Sequence, residues 1–328
     1  MMKFSLDSNI NARRVSLRDL ARLVQLLVDH GPARYQELAN LARERGVLLT
    51  HKGKTVGKST FYHYVTAMKT LGLACQHNNA YGPTVLAEKL SRLAPQSEVP
   101  LSSAAKAVLR EAIISSDVVW RNFLVLFTCK LSRSLTPSYP VAYSPTRKRQ
   151  YVLRPFCNSQ DILLSESQTD AIIWGIRLWC LEADLIDEIL LPRVAEIPLE
   201  EINILYLVTK NKDDVSPSLF THLVKQCLEE LLPNQSGRSH LVSIPVLLYY
   251  LCPRSGLSLS NAKDYLRDWI NRNAGLVRAE RGALGILEAG DSRGTLATRE
   301  KMLRSFLIMD GSYFTHITVT PEAVVAAL

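Results

Sequence analysis

Hydrophobic residues recur every three or four positions through the first part of the chain, a spacing that is typical of amphipathic helices. We expect helices at residues 17–29, 34–45 and 59–71. Ser59 is the expected N-cap of the third helix, because serine at that position accepts a backbone hydrogen bond. The inward side of that helix would consist of Phe61, Tyr64, Val65, Met68 and Leu71.

Shorter elements follow the third helix. The sequence predicts strands at residues 73–77 and 80–84 and a closing helix at 85–93. Asn78-Asn79 would form the turn between the strands, since asparagine tolerates the positive φ that tight hairpins need. Residues 95–104 are rich in serine and proline, which indicates a linker.

The remaining two thirds of the chain show further helical patterns separated by breaks. The predicted helices are 105–131, 165–191, 217–232, 241–252, 258–273 and 297–308. Residues 132–160 read as irregular, and 276–280 and 285–290 as strands, while 201–209 fit either a strand or a short buried helix. We therefore expect three domains, at residues 1–95, 96–240 and 241–328, in a mainly α-helical protein with a helical middle domain.

Residues 16–93 resemble the winged helix-turn-helix superfamily. The resemblance lies in the order of three helices and the hairpin LACQHNNAYGPT, and in the phrase STFYHYVTAMKTLGLA, where Leu71, Gly72 and Leu73 lead into the wing. A weaker second copy lies near residues 243–308. The resemblance implies that the third helix of the first copy enters a duplex groove. One departure is the long connection from Gly46 to Lys58, which is either a basic insertion or a sign of misplaced helix ends.

The outward side of the third helix is polar and carries no carboxylate. Its residues would be Lys58, Ser59, Thr60, Tyr62, His63, Thr66 and Lys69. Such side chains can donate to phosphates and base edges, whereas carboxylates would be repelled. Further phosphate contacts are expected from Lys52, Lys54, His77 and Asn78. A second basic segment, Arg147, Lys148 and Arg149 within 143–154, is either a nucleic-acid grip or an exposed loop.

The net charge of +8 is unevenly distributed. Residues 1–95 hold 14 Lys/Arg against 6 Asp/Glu, whereas residues 161–230 hold 5 against 14. A basic first domain suits a polyphosphate partner, which we expect to be double-stranded DNA.

The second copy has a different charge pattern. Its helix at 258–273 mixes both signs: Lys263, Asp264, Arg267, Asp268 and Arg272. Paired opposite charges favour a structural or protein-contacting role, although Arg278, Arg281 and Arg293 leave DNA contact open.

Catalytic motifs have little support in this sequence. GKTVGKST has one residue too few between its glycines for a phosphate-binding P-loop, and GxSxG and HExxH are absent. The acidic residues Glu182, Asp184, Asp187, Glu188 and Glu196 fit a solvated face or a docking surface better than a nuclease centre. The six cysteines form no CxxC pair and are expected to be reduced and mostly buried. We expect no catalytic residue, no metal and no cofactor.

These patterns favour a non-enzymatic DNA-binding protein, either a transcriptional regulator or the DNA-engaging subunit of a larger complex. The alternative is a protein-interaction or scaffold subunit, for example of a bacterial genome-defence or mobile-element complex, with protein partners or a second copy of itself. No apolar run reaches the length of a membrane span and no secretory signal precedes the first helix, so a cytoplasmic protein without membrane contact is expected.

Overall fold

The computed structural model of the chain describes residues 15–49, 53–93, 101–120, 123, 141–143, 175–191, 202–232, 239–281 and 303–322. The chain forms two compact units. The first contains Met1–Leu135 and Arg154–Ile186, and the second contains Thr136–Leu153 and Asp187–Leu328. This grouping differs from the three predicted domains, because helices of the predicted middle region pack on elements to either side.

The described part of the first unit is mostly helical. Its helices are α1 (Leu17–His30), α2 (Tyr35–Glu44), α3 (Lys58–Thr70), α4 (Val85–Leu93), α5 (Ser103–Ser115) and α6 (Arg177–Glu182). Helix α1 packs against α2, α3, α4 and α6, and its apolar side is fully buried. Ser16 caps α1 by accepting a hydrogen bond from the backbone N–H of Asp19 at 3.2 Å, and Gly31 ends it with φ 84°.

Three short strands complete the first unit: β1 (Ala33–Arg34), β2 (Ala74–His77) and β3 (Ala80–Pro83). They form an antiparallel sheet in the order β1-β3-β2. Arg34 of β1 and His77 of β2 both lie opposite Ala80 of the central strand. The hairpin β2–β3 was predicted, whereas the two-residue β1 was not, because a strand so short has no period of its own.

The described part of the second unit contains three α-helices and most of the strands found in the described part of the chain. The helices are α7 (Pro217–Leu231), α8 (Ile244–Ser255) and α9 (Leu259–Arg272). The strands are β4 (Val141–Tyr143), β5 (Ile186–Leu191, which starts at the last residue of the first unit), β6 (Ile202–Leu207), β7 (His240–Ser243), β8 (Val277–Glu280), β9 (Leu307–Met309), β10 (Ser312–Phe314) and β11 (His316–Val319). They form sheets in the orders β4-β6-β5, β10-β9 and β7-β11-β8.

One apolar core joins the helices and sheets of the second unit. Its largest buried side chains include Trp269 of α9, Phe220 of α7 and Tyr206 of β6. Phe220 stacks on Tyr265 with ring centroids 5.0 Å apart. Aromatic rings of this size bury much of the apolar area of a small unit, so they hold α7, α9 and the sheet in place.

The two units contain the same order of elements. The first runs α1-β1-α2-α3-β2-β3 with sheet order β1-β3-β2, and the second runs α7-β7-α8-α9-β8-β11 with sheet order β7-β11-β8. In both, the last strand lies between the other two and is antiparallel to each. The repeat thus spans residues 217–319, beyond the predicted 243–308, and carries the β9–β10 hairpin between its last two strands.

The mainly helical character with small sheets is confirmed. Several predicted elements are wrong in detail. The helix expected at 165–191 ends at Glu182, because Asp184 takes a positive φ of 55° and β5 follows. The stretch at 105–131 breaks at Ser116, whose ψ is 106°. Leu307 and Ile308, expected at the end of a helix, belong to β9, while Val141–Tyr143 form a strand in a stretch expected to be irregular.

Other expectations have a clear outcome. Residues 202–207 are a strand, which decides between the two predicted states. Cys180, Cys227 and Cys252 are buried free thiols and Cys75 is exposed, and Cys129 and Cys157 lie outside the described residues. The predicted strand at 285–290 also lies outside them.

Candidate nucleic-acid interface

The inner side of α3 determines which residues face outward. Phe61, Tyr64, Val65, Ala67 and Met68 are buried in the first unit. The Phe61 ring packs edge-on against Tyr35 with centroids 5.3 Å apart. The Tyr35 hydroxyl donates to the carbonyl of Lys58 at 3.2 Å, so the first residue of α2 holds the first turn of α3. The predicted inward side is confirmed.

The predicted outward residues of α3 lie together on its other side. Lys58, Ser59, Tyr62 and Lys69 are exposed, and Thr60, His63 and Thr66 are half-buried. Tyr62 is 59% exposed and is flanked by the His63 ring at 6.0 Å, in an edge-on arrangement. This side of α3 therefore faces solvent across the length of the helix.

The cap of α3 differs from the prediction. The helix begins at Lys58 after Gly57, which has extended φ and ψ of −70° and 163° and no side chain to cap with. Ser59 is consequently not the N-cap but an exposed residue of the first turn.

Tyr64 fixes α3 to the start of α1. Its hydroxyl donates to Asp19 Oδ2 at 3.4 Å and accepts the backbone N–H of Ser16 at 3.5 Å. Burial and the neighbouring Asp19 carboxylate raise the pKa of Tyr64 to about 12. The phenol therefore stays protonated near neutral pH and keeps its hydrogen bond to Asp19.

Helix α6, which is distant in sequence, also contacts the start of α1. The Glu182 carboxylate accepts the backbone N–H of Leu17, and Trp179 Nε1 donates to the carbonyl of Val15 at 2.8 Å. Burial raises the pKa of Glu182. These contacts span more than 160 positions, so no local sequence signal could have revealed them. Trp179 is fully buried.

The β2–β3 hairpin, which the sequence analysis predicted to be a wing and which is called the wing below, extends beside the end of α3. Asn78 and Asn79 form its turn with φ values of 48° and 61°, as predicted. His77 and Asn78 are exposed at the tip, and Gln76 accepts a hydrogen bond from Lys69 Nζ at 2.7 Å. The last turn of α3 and the wing thus share one polar edge.

The long connection before α3 is real rather than an error in the helix ends. Helix α2 ends at Glu44 and α3 begins at Lys58, and Leu49 pairs with Thr55 in an isolated antiparallel bridge between them. Lys54 is exposed in this connection. An antiparallel bridge also differs from the parallel strand that precedes a P-loop. Lys52, Arg147, Lys148 and Arg149 lie outside the described residues.

A charge pattern that the sequence analysis missed surrounds α3. From Arg45 to Ala87 the sequence contains no aspartate or glutamate. This segment covers the connection, α3, the wing and the first three residues of α4. A count of carboxylates along the chain would have found it. The residues before and after α3 within this segment are therefore all neutral or cationic.

The acidic residues around position 185 are engaged within the chain, which differs from the expected solvated face. Asp184 pairs with Lys106 at 2.8 Å. Asp187 accepts the backbone N–H groups of Leu259 and Glu188, each at 2.8 Å, and Glu188 itself is buried. Glu196 lies outside the described residues. Carboxylates used in this way are poor candidates for a docking surface.

Within the described ranges, no group of three or more His, Cys, Asp or Glu side chains is arranged to hold a metal ion. No helix in the described part of the chain is long and apolar enough to cross a membrane. No protein-family model matches the chain, and neither a curated protein nor a solved structure is significantly similar to it. The interpretation of α3 and the wing therefore depends on their own geometry and chemistry.

Proposed function

We propose that this chain is a non-enzymatic DNA-binding protein whose first unit is a winged helix-turn-helix domain. The support for that fold is the order α1-β1-α2-α3-β2-β3 together with the sheet order β1-β3-β2. In this arrangement the third helix is presented beside a β-hairpin wing. The protein acts as a transcriptional regulator or as the DNA-engaging subunit of an assembly in the cytoplasm.

The observation that carries the proposal is the outer side of α3. It is open to solvent, it carries Lys58 and Lys69 near its two ends, and it lies within a segment free of carboxylates. A surface helix with this charge can approach a polyanion without repulsion. A helix is also the element that the major groove of B-DNA accommodates.

The residues divide between two roles. Lys58, Lys69 and Lys54 bind phosphate oxygens, which gives affinity without sequence information. Ser59, Tyr62, His63 and Thr66 lie between the two lysines of α3 and face the base edges. His77 and Asn78 at the wing tip contact the neighbouring backbone.

A gel-shift titration with the double variant Lys58→Glu/Lys69→Glu tests the proposal. We expect this variant to bind a mixed-sequence duplex much more weakly than the wild type. A second variant, Lys58→Ala/Lys69→Ala, should make the negative slope of log K against log salt shallower by about two, since each phosphate contact contributes about 0.9 to its magnitude. Arg92→Glu/Arg272→Glu is the matched control, because both arginines are exposed and the change in net charge is the same as in the first double variant.

Equal losses in the test and control variants would mean that only total charge matters, and the proposed role of α3 would then be wrong. Binding that does not depend on salt would contradict the phosphate-based mechanism as well.

A protein-contacting role for the second unit is a second candidate, supported by the ion pairs of α9. Asp264 pairs with Arg267 at 2.7 Å and with Lys212 at 3.4 Å, so part of the positive charge on that side of α9 is compensated. A compensated surface gains little from phosphate. Sedimentation of the full chain across a range of protein and salt concentrations tests whether it self-associates; a strictly monomeric chain would leave only a different protein as the partner.

A further inference from the structure

The second unit contains a cleft next to the first turn of α9. Helix α9 occupies the place in the second unit that α3 occupies in the first, but residues 303–314 lie against its first turn. The cleft has a volume of about 470 Å³, within the range of sites for small molecules. It is lined by Leu259, Ser260, Lys263, Leu303, Arg304, Ile308 and Tyr313.

The lining combines apolar, cationic and hydroxyl groups. Leu259, Leu303 and Ile308 supply apolar surface, and Ile308 is 46% exposed. Lys263 and Arg304 supply two positive charges, and no carboxylate is among the described residues that line the cleft. Such a surface is complementary to an anionic group attached to an apolar body.

The two cations are partly compensated. Lys263 Nζ donates to the backbone carbonyl of Arg304 at 2.8 Å, a partner that carries no charge. The Arg304 guanidinium lies 3.7 Å from Asp187, whose two oxygens also accept backbone N–H groups at 2.8 Å, and this ion pair offsets part of the charge of Arg304. Burial and the neighbouring Arg304 lower the pKa of Lys263, although Asp264 opposes this. An anion in the cleft would relieve this repulsion.

The walls of the cleft are fixed by the core. Phe306 and Leu307 are buried, and the Ser305 hydroxyl accepts the backbone N–H of Leu190 at 3.1 Å. The buried residues 305–307 therefore fix the backbone between Arg304 and Ile308. The backbone that carries Arg304 is thus held in place before any ligand arrives, which lowers the entropic cost of binding, while the Arg304 side chain itself is 59% exposed.

We propose that this cleft binds a small molecule with one carboxylate, sulfonate or phosphate group and an apolar body, the anion contacting Lys263 and Arg304 and the body lying on Leu259, Leu303 and Ile308. This site is separate from the DNA-binding side of α3. On this proposal, the first unit binds DNA and the second unit, which has the same order of elements, binds a small molecule.

Fluorescence titration of the full chain with 8-anilinonaphthalene-1-sulfonate tests the proposal. We expect one saturable site that also raises the Tm, because a ligand bound to the folded state stabilises it. Lys263→Met and Arg304→Gln should each weaken binding about tenfold, the loss of one charge-assisted contact, while Lys263→Arg retains binding. The uncharged N-phenyl-1-naphthylamine should bind far more weakly, and inorganic phosphate should compete.

Lys212→Met is the matched control, because that lysine is in the same unit and pairs with Asp264 but does not line the cleft. Lys58→Glu/Lys69→Glu should bind the sulfonate normally, so a failure of DNA binding and a failure of this site are distinguishable. Three results would each overturn the proposal: absence of binding, wild-type affinity in both Lys263→Met and Arg304→Gln, or binding of the uncharged analogue as tight as that of the sulfonate. If Lys263→Met fails to fold, Arg304→Gln and Lys263→Arg decide.

Discussion

The hydroxyl of Tyr64 lies 3.4 Å from Asp19 Oδ2 and joins the middle of α3 to the first turn of α1. Apolar packing and the hydrogen bond from Tyr35 to the carbonyl of Lys58 also hold α3, and the contact between Tyr64 and Asp19 adds to them in orienting α3 about its own axis. The orientation decides which side of α3 carries Tyr62 and Lys69 into solvent. The proposed function therefore depends on a buried hydrogen bond behind the exposed surface.

Tyr64→Phe should lower the free energy of unfolding by about 1 kcal/mol, because it removes the buried hydroxyl and leaves Asp19 and the Ser16 N–H without that partner. Tyr62→Phe on the same helix is the control, and it should leave stability nearly unchanged because Tyr62 is 59% exposed. Urea denaturation of both variants measures the difference. Equal stability of the two variants would show that the hydrogen bond of Tyr64 contributes nothing.

Glu182 should make the stability of the chain depend on pH. Burial raises its pKa above the ordinary value of 4.5, so the folded state favours the protonated acid. The stabilising contribution of Glu182 is complete below that value and is lost as the pH rises through the higher folded pKa. The wild type should therefore lose stability relative to Glu182→Gln over this pH range. Urea denaturation at pH values from 4 to 7 measures the difference, and parallel curves for the two proteins would contradict the assignment.

Gly256 should tolerate no side chain. Its φ is +70°, and a Cβ there would lie 2.2 Å from Thr209 Oγ1. Gly256→Ala should destabilise the chain by about 2–4 kcal/mol, the sum of left-handed strain and overpacking. Thr209→Ala/Gly256→Ala should recover the part due to the clash.

Gly275→Ala is the control for Gly256→Ala, since nothing lies within 4 Å of the added Cβ there. Thermal unfolding compares the three variants. A Gly256→Ala protein as stable as Gly275→Ala would contradict both the left-handed strain and the clash with Thr209.

The wing turn should respond to substitutions at Asn79, whose φ is 61°. Asn79→Gly should be neutral or slightly stabilising, because asparagine followed by glycine suits this type of turn. Asn79→Val should lower the free energy of unfolding by about 1–2 kcal/mol, since a β-branched residue avoids positive φ. Gln76→Val in the exposed strand is the control, and chemical denaturation is the measurement. Equal effects of the two valine substitutions would contradict the turn assignment.

Local patterns predicted the elements that depend on near neighbours. Helix α4 begins and ends at the predicted residues 85 and 93, and the Asn78-Asn79 turn has the expected positive φ values. The inward side of α3 was predicted because apolar spacing along a helix reports its buried side. The exposed set of candidate DNA contacts follows from the same periodicity.

Elements that depend on distant partners were missed or misassigned. Ile186 to Leu191 continue an apolar run that a helix could bury equally well, and pairing in a sheet with β6 makes them a strand. The two residues of β1 are extended because β3 lies beside them. Glu182 supports α1 although 165 positions separate it from Leu17.

The sequence by itself determined the periodic helices, the wing turn and the segment from Arg45 to Ala87 that lacks carboxylates, because these properties depend on residues a few positions apart. Only the tertiary structure decided the strand order shared by the two units, the anchoring of α3 through Tyr64, and the position of Lys263 and Arg304 beside one cleft. Those features arise where remote segments exclude water together, and a one-dimensional pattern does not record which segments meet.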